Sequence, residues 1–517
     1  MRKLIGYIVV VLAMALAVSC SLDKGNYDYI SLDEPVISGL EDVNVMTFDH
    51  LSIVPSVEGV SDGEWEFEWK VLDDNGMMDP VVIGSAMALD YYVSIPPGSY
   101  TLYFTVRDEV TGMFWQEHVS LIVSSSTSEG WMVLCSEDGN ARLDVVSEVT
   151  GERVNDVLAA SGMPVMRGPR RIQWLSDKTD AASPYYLLTD DGATRLGKDS
   201  FGWKPEYDFS YEVAVPQKLV PYSIVSAGIG KVIVSGTDAH YCEVMAFDGL
   251  YGSAVNKGFA VAPYVGANVL ATYMYAAVYL LYDTDNRRMV AFCPLLETDD
   301  LGGLEPVAGM EEMGQIADGI AEGAGVLGDA FGEWPEGYDC VYMENTRYDP
   351  GNAKMGLTYV LLSDGPECHL YGVQLGDMLR YADCTYVLGK GYYGDLSGCR
   401  DILDADALYA FSSLKNYMYY AVGGTVYRVD LSADVLKEEV QLEFPGERIT
   451  CLKFNLFQKS QNMQRSYDLI VGSVRNGTGT LRIYEGRESG GDFRKVEPVV
   501  YEGFEEIVDV TYKERVY

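Results

Sequence analysis

Imidazoles, the side chains most often used to move protons or bind transition metals, number four in 517 residues: His50, His118, His240 and His369. They fall in different segments, with none of the short His-to-His spacing that puts two ligands on one ion. Neither a metal nor an organic cofactor is expected. Hard-cation chemistry would need clustered carboxylates, and two stretches offer them, Asp73-Asp74-Asn75-Gly76 and Asp283-Thr284-Asp285-Asn286. Both coincide with turns between apolar alternations, where Asp and Asn are wanted for bonds to their own backbone. A phosphate-cradling Gly-x-x-x-x-Gly-Lys-[Ser/Thr] loop is missing, and no catalytic residue is assigned. Paired carboxylates for glycoside cleavage are recognised only by their separation in space, and the sequence singles out none among 77 acidic residues.

The informative excess is phenolic, 38 Tyr against 16 Phe. Tyrosine offers a flat apolar face and a polar tip, which suits wet recognition of sugars or peptides, and it is also an ordinary sheet former. Tyr186, Tyr279, Tyr417, Tyr419 and Tyr427 sit inside strand patterns and read as structural. Aromatics between the strand patterns are the candidates for a ligand-contact surface: Trp174, Trp203, Trp334, Tyr338, Tyr392 and Tyr393. Packing beneath a loop is the competing reading of each.

A formal charge of −39 and a pI near 4.3 repel phosphates, which excludes a nucleic-acid partner. A hydrophobic share of 48% with only 22% charged residues supplies material for a sizeable core. At the start, Arg2 and Lys3 precede an uncharged apolar run from Ile5 to Val18, closed by Ser19 and Cys20. The run is shorter than the ~20 residues that span a bilayer, so residues 1–19 read as a signal peptide. A small residue directly before cysteine resembles a bacterial lipobox, which implies that Cys20 carries a lipid and begins the mature chain. Simple secretion with cleavage between Ala17 and Ser19 is the alternative. No second long apolar run appears, so attachment to the membrane is expected through the lipid only. Eight cysteines follow, at 135, 242, 293, 340, 368, 384, 399 and 451, without a C-x-x-C among them. Most lie in apolar strand-like runs and read as buried thiols, and export leaves a Cys384–Cys399 pair open.

The elements that hold these residues are all expected to be β. After a tether at 20–35, residues 36–124 alternate with period two and read as an immunoglobulin-like β-sandwich. Trp65, Phe67, Trp69 and Val71 share one face of WEFEWKV, and Trp69 is the expected core tryptophan. The opening Asp23-Lys24-Gly25-Asn26-Tyr27-Asp28-Tyr29, followed by this strand pattern, resembles the PKD-like lipoproteins of Bacteroidota. That resemblance implies a lipid-anchored outer-membrane protein displayed at the cell surface. It also implies partners: a TonB-dependent transporter and its lid lipoprotein, as in starch-utilisation-type uptake systems.

The polar stretch 125–130 then reads as a linker, and beyond it one device recurs seven times: apolar strand, turn, second strand. Turn centres fall at 139, 192, 238, 285, 365, 423 and 477. The 131–517 segment averages about 55 residues per repeat, close to the blade of a β-propeller. A seven-bladed propeller is therefore expected, with a Gly-rich acidic insertion at about 297–334 in the one long gap. The first hairpin lacks a preceding inner strand, and IVDVTYK (Ile507 to Lys513) resembles ITCLKF (Ile449 to Phe454) before the seventh hairpin. The last strand is thus expected to pair with the first hairpin and remove an open sheet edge. The functional expectation is a non-enzymatic accessory of nutrient uptake that binds glycan or peptide or docks on the transporter pair. A glycosidase or polysaccharide lyase on the same scaffold is the alternative.

Overall fold

The computed structural model describes residues 34–46, 49–60, 65–76, 78–159, 161–175, 185–198, 201–243, 249–268, 276–294, 309–312, 330–349, 356–375, 377–378, 388–457 and 460–515. Cys20, the signal segment and Cys384 lie outside them. The described chain is all-β and divides into two compact units, Met1–Ser124 and Ser125–Tyr517. Among the described residues no helix is long and apolar enough to cross a membrane.

In the first unit a five-stranded sheet runs in the order Val43–Met46, Phe114–Ser124, Gly98–Asp108, Trp65–Asp73, Val81–Gly84. Its first pair is parallel and the others antiparallel. Two short ladders, Val36–Ser38 with Ser56–Glu58 and His50–Ile53 with Leu89–Tyr92, complete the unit. The alternation in WEFEWKV does what its period requires: Trp69 and Val71 are fully buried while Glu66 is exposed. Trp69 stacks at 4.4 Å from Phe104, and its indole N–H donates to the carbonyl of Ala86 at 3.0 Å, so the core keeps no unpaired donor there.

The second unit is a succession of small antiparallel sheets. The first combines Arg153–Val154, Asn140–Ser147, Gly130–Glu137 and Glu506–Lys513. The second and third each have three strands, Pro169–Trp174, Tyr185–Thr189, Gly192–Leu196 and then Pro221–Ala227, Gly230–Ser235, Asp238–Glu243. The fourth holds Gly266–Ala267, Tyr279–Asp283, Arg288–Cys293 and Gly309–Glu312. The fifth holds Asp339–Asn345, Thr358–Asp364, Glu367–Leu375 and Leu388–Asp395. The sixth runs Leu408–Phe411, Tyr417–Val422, Thr425–Asp430, Glu438–Glu443, and the seventh Arg448–Phe454, Leu469–Arg475, Thr478–Tyr484, Val499–Phe504. Each of the seven repeat stretches forms a hairpin, central in the four-stranded sheets and at one edge in the three-stranded second and third.

Local chemistry explains the hairpins. Asp138-Gly139 and Asn476-Gly477 are two-residue loops in which both residues have positive φ, the arrangement that matches strand twist and favours Asp or Asn followed by Gly. The acidic stretches are likewise turns. Asp283 accepts from the backbone N–H of Asp285 and Asn286 at 3.1 and 3.0 Å and from Arg288 Nε at 3.0 Å. Asp73 accepts from Asn75 N–H at 3.1 Å. Within the stretch expected as an insertion, Gly309–Glu312 is the outer strand of the fourth sheet, paired with Arg288–Cys293, and residues 297–308 and 313–329 lie outside the described residues. A tract too Gly-rich and acidic to read as strand is recruited by the free edge of its neighbour, because ladder hydrogen bonds need only backbone.

The packing between sheets is cyclic. One apolar cluster joins the first and second sheets through Met132, Leu134, Ile172 and Leu187, and corresponding clusters join each following pair. The seventh sheet then packs on the first through Ile470 and Leu481 against Trp131, Val133, Ile507 and Val510. Glu506–Lys513 pairs antiparallel with Gly130–Glu137, Trp131 opposite Tyr512 and Val133 opposite Val510, as the sequence anticipates. Cysteines 135, 242, 340, 368, 399 and 451 are free thiols, all buried except the half-buried Cys340.

Candidate functional site

The first strand of each of the second to seventh sheets, or the residues just before it, borders one common cavity of about 1290 Å³. In the first sheet the corresponding place is taken by Glu506–Lys513, through Val508, Asp509 and Thr511. Neighbouring strands at this wall are too splayed to share a full ladder, and side chains bridge them instead. Gln173 acts as a surrogate peptide, its amide donating to Ile224 O at 3.2 Å and accepting from Ile224 N–H at 2.9 Å. Asn345 repeats the device on the fourth sheet, accepting from Ala267 N–H at 2.8 Å and donating to Val265 O at 3.0 Å. Asp509 ties three sheets together: Lys453 Nζ lies 2.7 Å from one oxygen and Ile172 N–H donates to the other at 3.0 Å. Thr511 donates to Asn455 Oδ1 at 3.0 Å.

Between these ties the wall is aromatic. Tyr222, Tyr264, Tyr342 and Tyr409 follow one another across the third to sixth sheets, with ring centroids 5.9, 5.4 and 5.2 Å apart. The guanidinium of Arg171 stands 5.0 Å from the Tyr222 ring centre at one end of the row. Tyr264 donates to Val341 O at 3.2 Å, Tyr342 to Glu344 Oε2 at 3.0 Å and Tyr409 to Ile402 O at 2.6 Å. Glu344 also accepts from Phe411 N–H at 3.4 Å. Burial at the cavity wall pushes its carboxyl up to about 7, against the opposing pull of those two hydrogen bonds. The cavity thus presents hydrophobic ring faces, hydroxyl tips, a guanidinium, and a carboxyl able to exchange its proton near neutrality.

The six aromatics singled out in the sequence separate into four environments. Trp174 ends the first strand of the second sheet and borders the cavity, nearly buried, with its indole N–H unpaired. Trp203 is pinned by donation to Thr194 Oγ1 at 2.8 Å, away from that cavity. Tyr392 packs at 6.2 Å from Tyr359 in the core between the fifth and sixth sheets. Strand alternation puts its neighbour Tyr393 on the other face, where it gathers with Trp334 and Tyr338 around Phe331, His369 and Tyr371. In that second cluster Tyr393 is 42% exposed, its hydroxyl 3.2 Å from His369 Nδ1, and Lys390 Nζ lies 5.5 Å from the ring centres of Phe331 and Trp334.

The tyrosine row, Arg171, Glu344 and the Lys453–Asp509 pair were not singled out by sequence reasoning, although a signal existed. Each lies in or beside the short strand ahead of a hairpin, the same position that marks ITCLKF and IVDVTYK. Extending that inner-strand logic to PRRIQW at 169 and DCVYMEN at 339 picks out Arg171, Tyr342 and Glu344. Among the described residues no group of three or more His, Cys, Asp or Glu could hold a metal ion.

Comparison with known proteins finds no curated protein that matches the chain. The model of the PKD-like family matches residues 20–168, which spans the described first unit and continues through the hairpin Gly130–Glu137 with Asn140–Ser147 of the second. The N-terminal part of this chain, residues 20–168, is a PKD-like family domain.

Proposed function

We propose that the second unit is a seven-bladed β-propeller whose central cavity binds a saccharide, and that the protein works as a non-enzymatic accessory of outer-membrane nutrient uptake. Seven sheets of three or four strands, cyclic packing from the seventh back to the first, and the pairing of Glu506–Lys513 with Gly130–Glu137 support the propeller. The observation that carries the binding function is the tyrosine row in a cavity of about 1290 Å³. Such a volume is at or above the upper range of ligand pockets, room for several sugar rings, and tyrosine pairs apolar sugar faces with hydroxyl tips. In this reading Cys20 carries the lipid, the mature protein sits at the cell surface, and it docks on a TonB-dependent transporter and its lid lipoprotein. The sequence before residue 34 supports anchoring and display, and the PKD-like match supports the setting.

The test is titration of the purified protein with a glycan array, followed by calorimetry on the hits with Tyr222→Ala and Tyr264→Ala. Loss of an aromatic platform should weaken binding about tenfold or more while leaving the melting temperature close to wild type. Saccharide binding that ignores both substitutions, or no saccharide binding at millimolar concentration, refutes the assignment. Recovery of the transporter pair with the tagged protein from native membranes tests the docking half. A second reading rests on Glu344: a carboxyl pushed up to about 7 in a cavity that also holds Asp509 has the proton affinity of a glycosidase general acid. Release of reducing ends from a bound oligosaccharide, abolished by Glu344→Gln, would replace the binder with an enzyme.

A further inference from the structure

The charges of the cavity run against those of the chain. In a protein of net charge −39, the cavity is bordered by Arg170, Arg171, Arg347 and Lys453 against Glu344, Asp404 and Asp509. Two of the cations are already satisfied, Arg170 by Asp190 at 2.5 Å and Lys453 by Asp509 at 2.7 Å. Arg171 and Arg347 form no ion pair among the described residues. Arg347 donates to Phe457 O at 2.5 Å and leaves its Nε buried without a partner. Arg171 stands 5.0 Å from the Tyr222 ring centre and is hydrogen-bonded to the Tyr222 side chain, with Tyr342 and Glu344 also acting on it electrostatically. Asp509 acts on Arg171 electrostatically, but its two oxygens are taken by Lys453 and Ile172 N–H. Glu344 is held by Tyr342 and Phe411 N–H, and Asp404 accepts from Asp406 N–H at 2.9 Å.

A guanidinium that feels carboxylates only at a distance and forms no direct ion pair keeps its fork open to a ligand that supplies one. The fork of an arginine matches a planar carboxylate two-toothed, and stacking on Tyr222 presets its orientation. We propose that the saccharide taken by this cavity is acidic, its carboxylate gripped by Arg171 while its ring lies along Tyr222 and Tyr264. This rests on the saccharide-binding reading above and names its ligand class. The field of the two cations without an ion pair, Arg171 and Arg347, focused by the low-dielectric cavity, would also favour the uronate-bearing chains that the acidic exterior repels. The binding site would therefore discriminate for charge where the rest of the surface discriminates against it.

The experiment is an array of uronate oligosaccharides, each paired with its carboxyl-reduced counterpart, titrated into the full-length protein at 0.05 and 0.5 M salt. The acidic member of a pair should bind about 10- to 100-fold more tightly, with the preference shrinking in high salt. Arg171→Gln should erase the preference and Arg171→Lys should keep part of it, because the charge remains and the fork is lost. Because wild-type protein alone reports the acid-against-reduced ratio, a poorly folding variant does not remove the test. Equal affinity within pairs, or an undiminished preference in a folded Arg171→Gln protein, overturns the acidic-ligand inference and leaves saccharide binding standing. Binding of no member in either set overturns both.

Discussion

Removing residues 505–517 should destroy the cooperative folding of the second unit, and the size of the effect follows from what the strand Glu506–Lys513 buries. Ile507 and Val510 are 0% exposed and Tyr512 is 1% exposed. Each such side chain contributes about 1.5–3 kcal/mol by leaving water, so the three together supply roughly 5–9 kcal/mol. The loss is larger still on the partner side. Trp131 loses its edge-on contact with Tyr512 at 4.9 Å, Phe457 loses its own at 5.1 Å, and the Lys453 ammonium loses Asp509. The backbone of Gly130–Glu137 becomes an open edge. Against a whole-domain stability of about 5–15 kcal/mol, the deletion removes most or all of the margin. Hydrogen exchange measured along the chain, with urea unfolding, is the suitable assay. Amides between 131 and 504 should lose protection together in the truncated protein, and a peptide of residues 505–517 added in trans should restore it by pairing along the vacant edge. Ile507→Val, which trims one methyl, should cost about 0.5–1.5 kcal/mol and keep the transition sharp. A truncated protein with wild-type protection over 131–504 refutes the closure argument.

Three further outcomes follow from single sites. Glu344 has a folded pKa near 7 against an ordinary value of 4.5, so its ionisation works against folding; stability from this group is intact below about pH 4.5 and lost as pH rises through 7, by at most about 3 kcal/mol. The melting temperature of Glu344→Gln minus that of wild type should therefore climb between pH 5 and pH 8, and a difference independent of pH would contradict the assignment. Gly130 has φ +149°, and a Cβ there would sit 2.1 Å from Val146 O, so Gly130→Ala should cost at least about 2 kcal/mol, read as a lowered urea midpoint. Trp69→Ala empties the centre of the first unit and should destabilise that unit by about 3–5 kcal/mol. Faster exchange confined to residues 65–123 is the expected signature, and unchanged exchange there would show that Trp69 is not the keystone its burial indicates.

How much was legible in the sequence depends on how local each cause is. Hairpins were readable because period-two alternation and loops such as Asp138-Gly139 and Asn476-Gly477 act within a dozen residues. Trp69 was readable for the same reason, lying on the apolar face of a single strand. The partnership of Glu506–Lys513 with Gly130–Glu137 spans most of the chain, and it could be anticipated only from a shortage, a hairpin with no inner strand of its own. Inner strands such as Pro169–Trp174 are short and carry polar residues toward the cavity, so their alternation is blurred.

The site itself was mostly illegible. Six aromatics were singled out for standing between strand patterns, yet one of them, Trp174, borders the cavity, while Tyr392 and Tyr393, adjacent in sequence, lie on opposite faces of one strand. By itself the sequence determined the β-class, the hairpins, the turn chemistry and the net charge, because these depend on composition and on neighbours along the chain. Only the tertiary structure decided which tyrosines face one cavity, that Asp509 is spoken for by Lys453, and that Arg171 forms no direct ion pair among the described residues, because these depend on strands brought together from hundreds of residues apart.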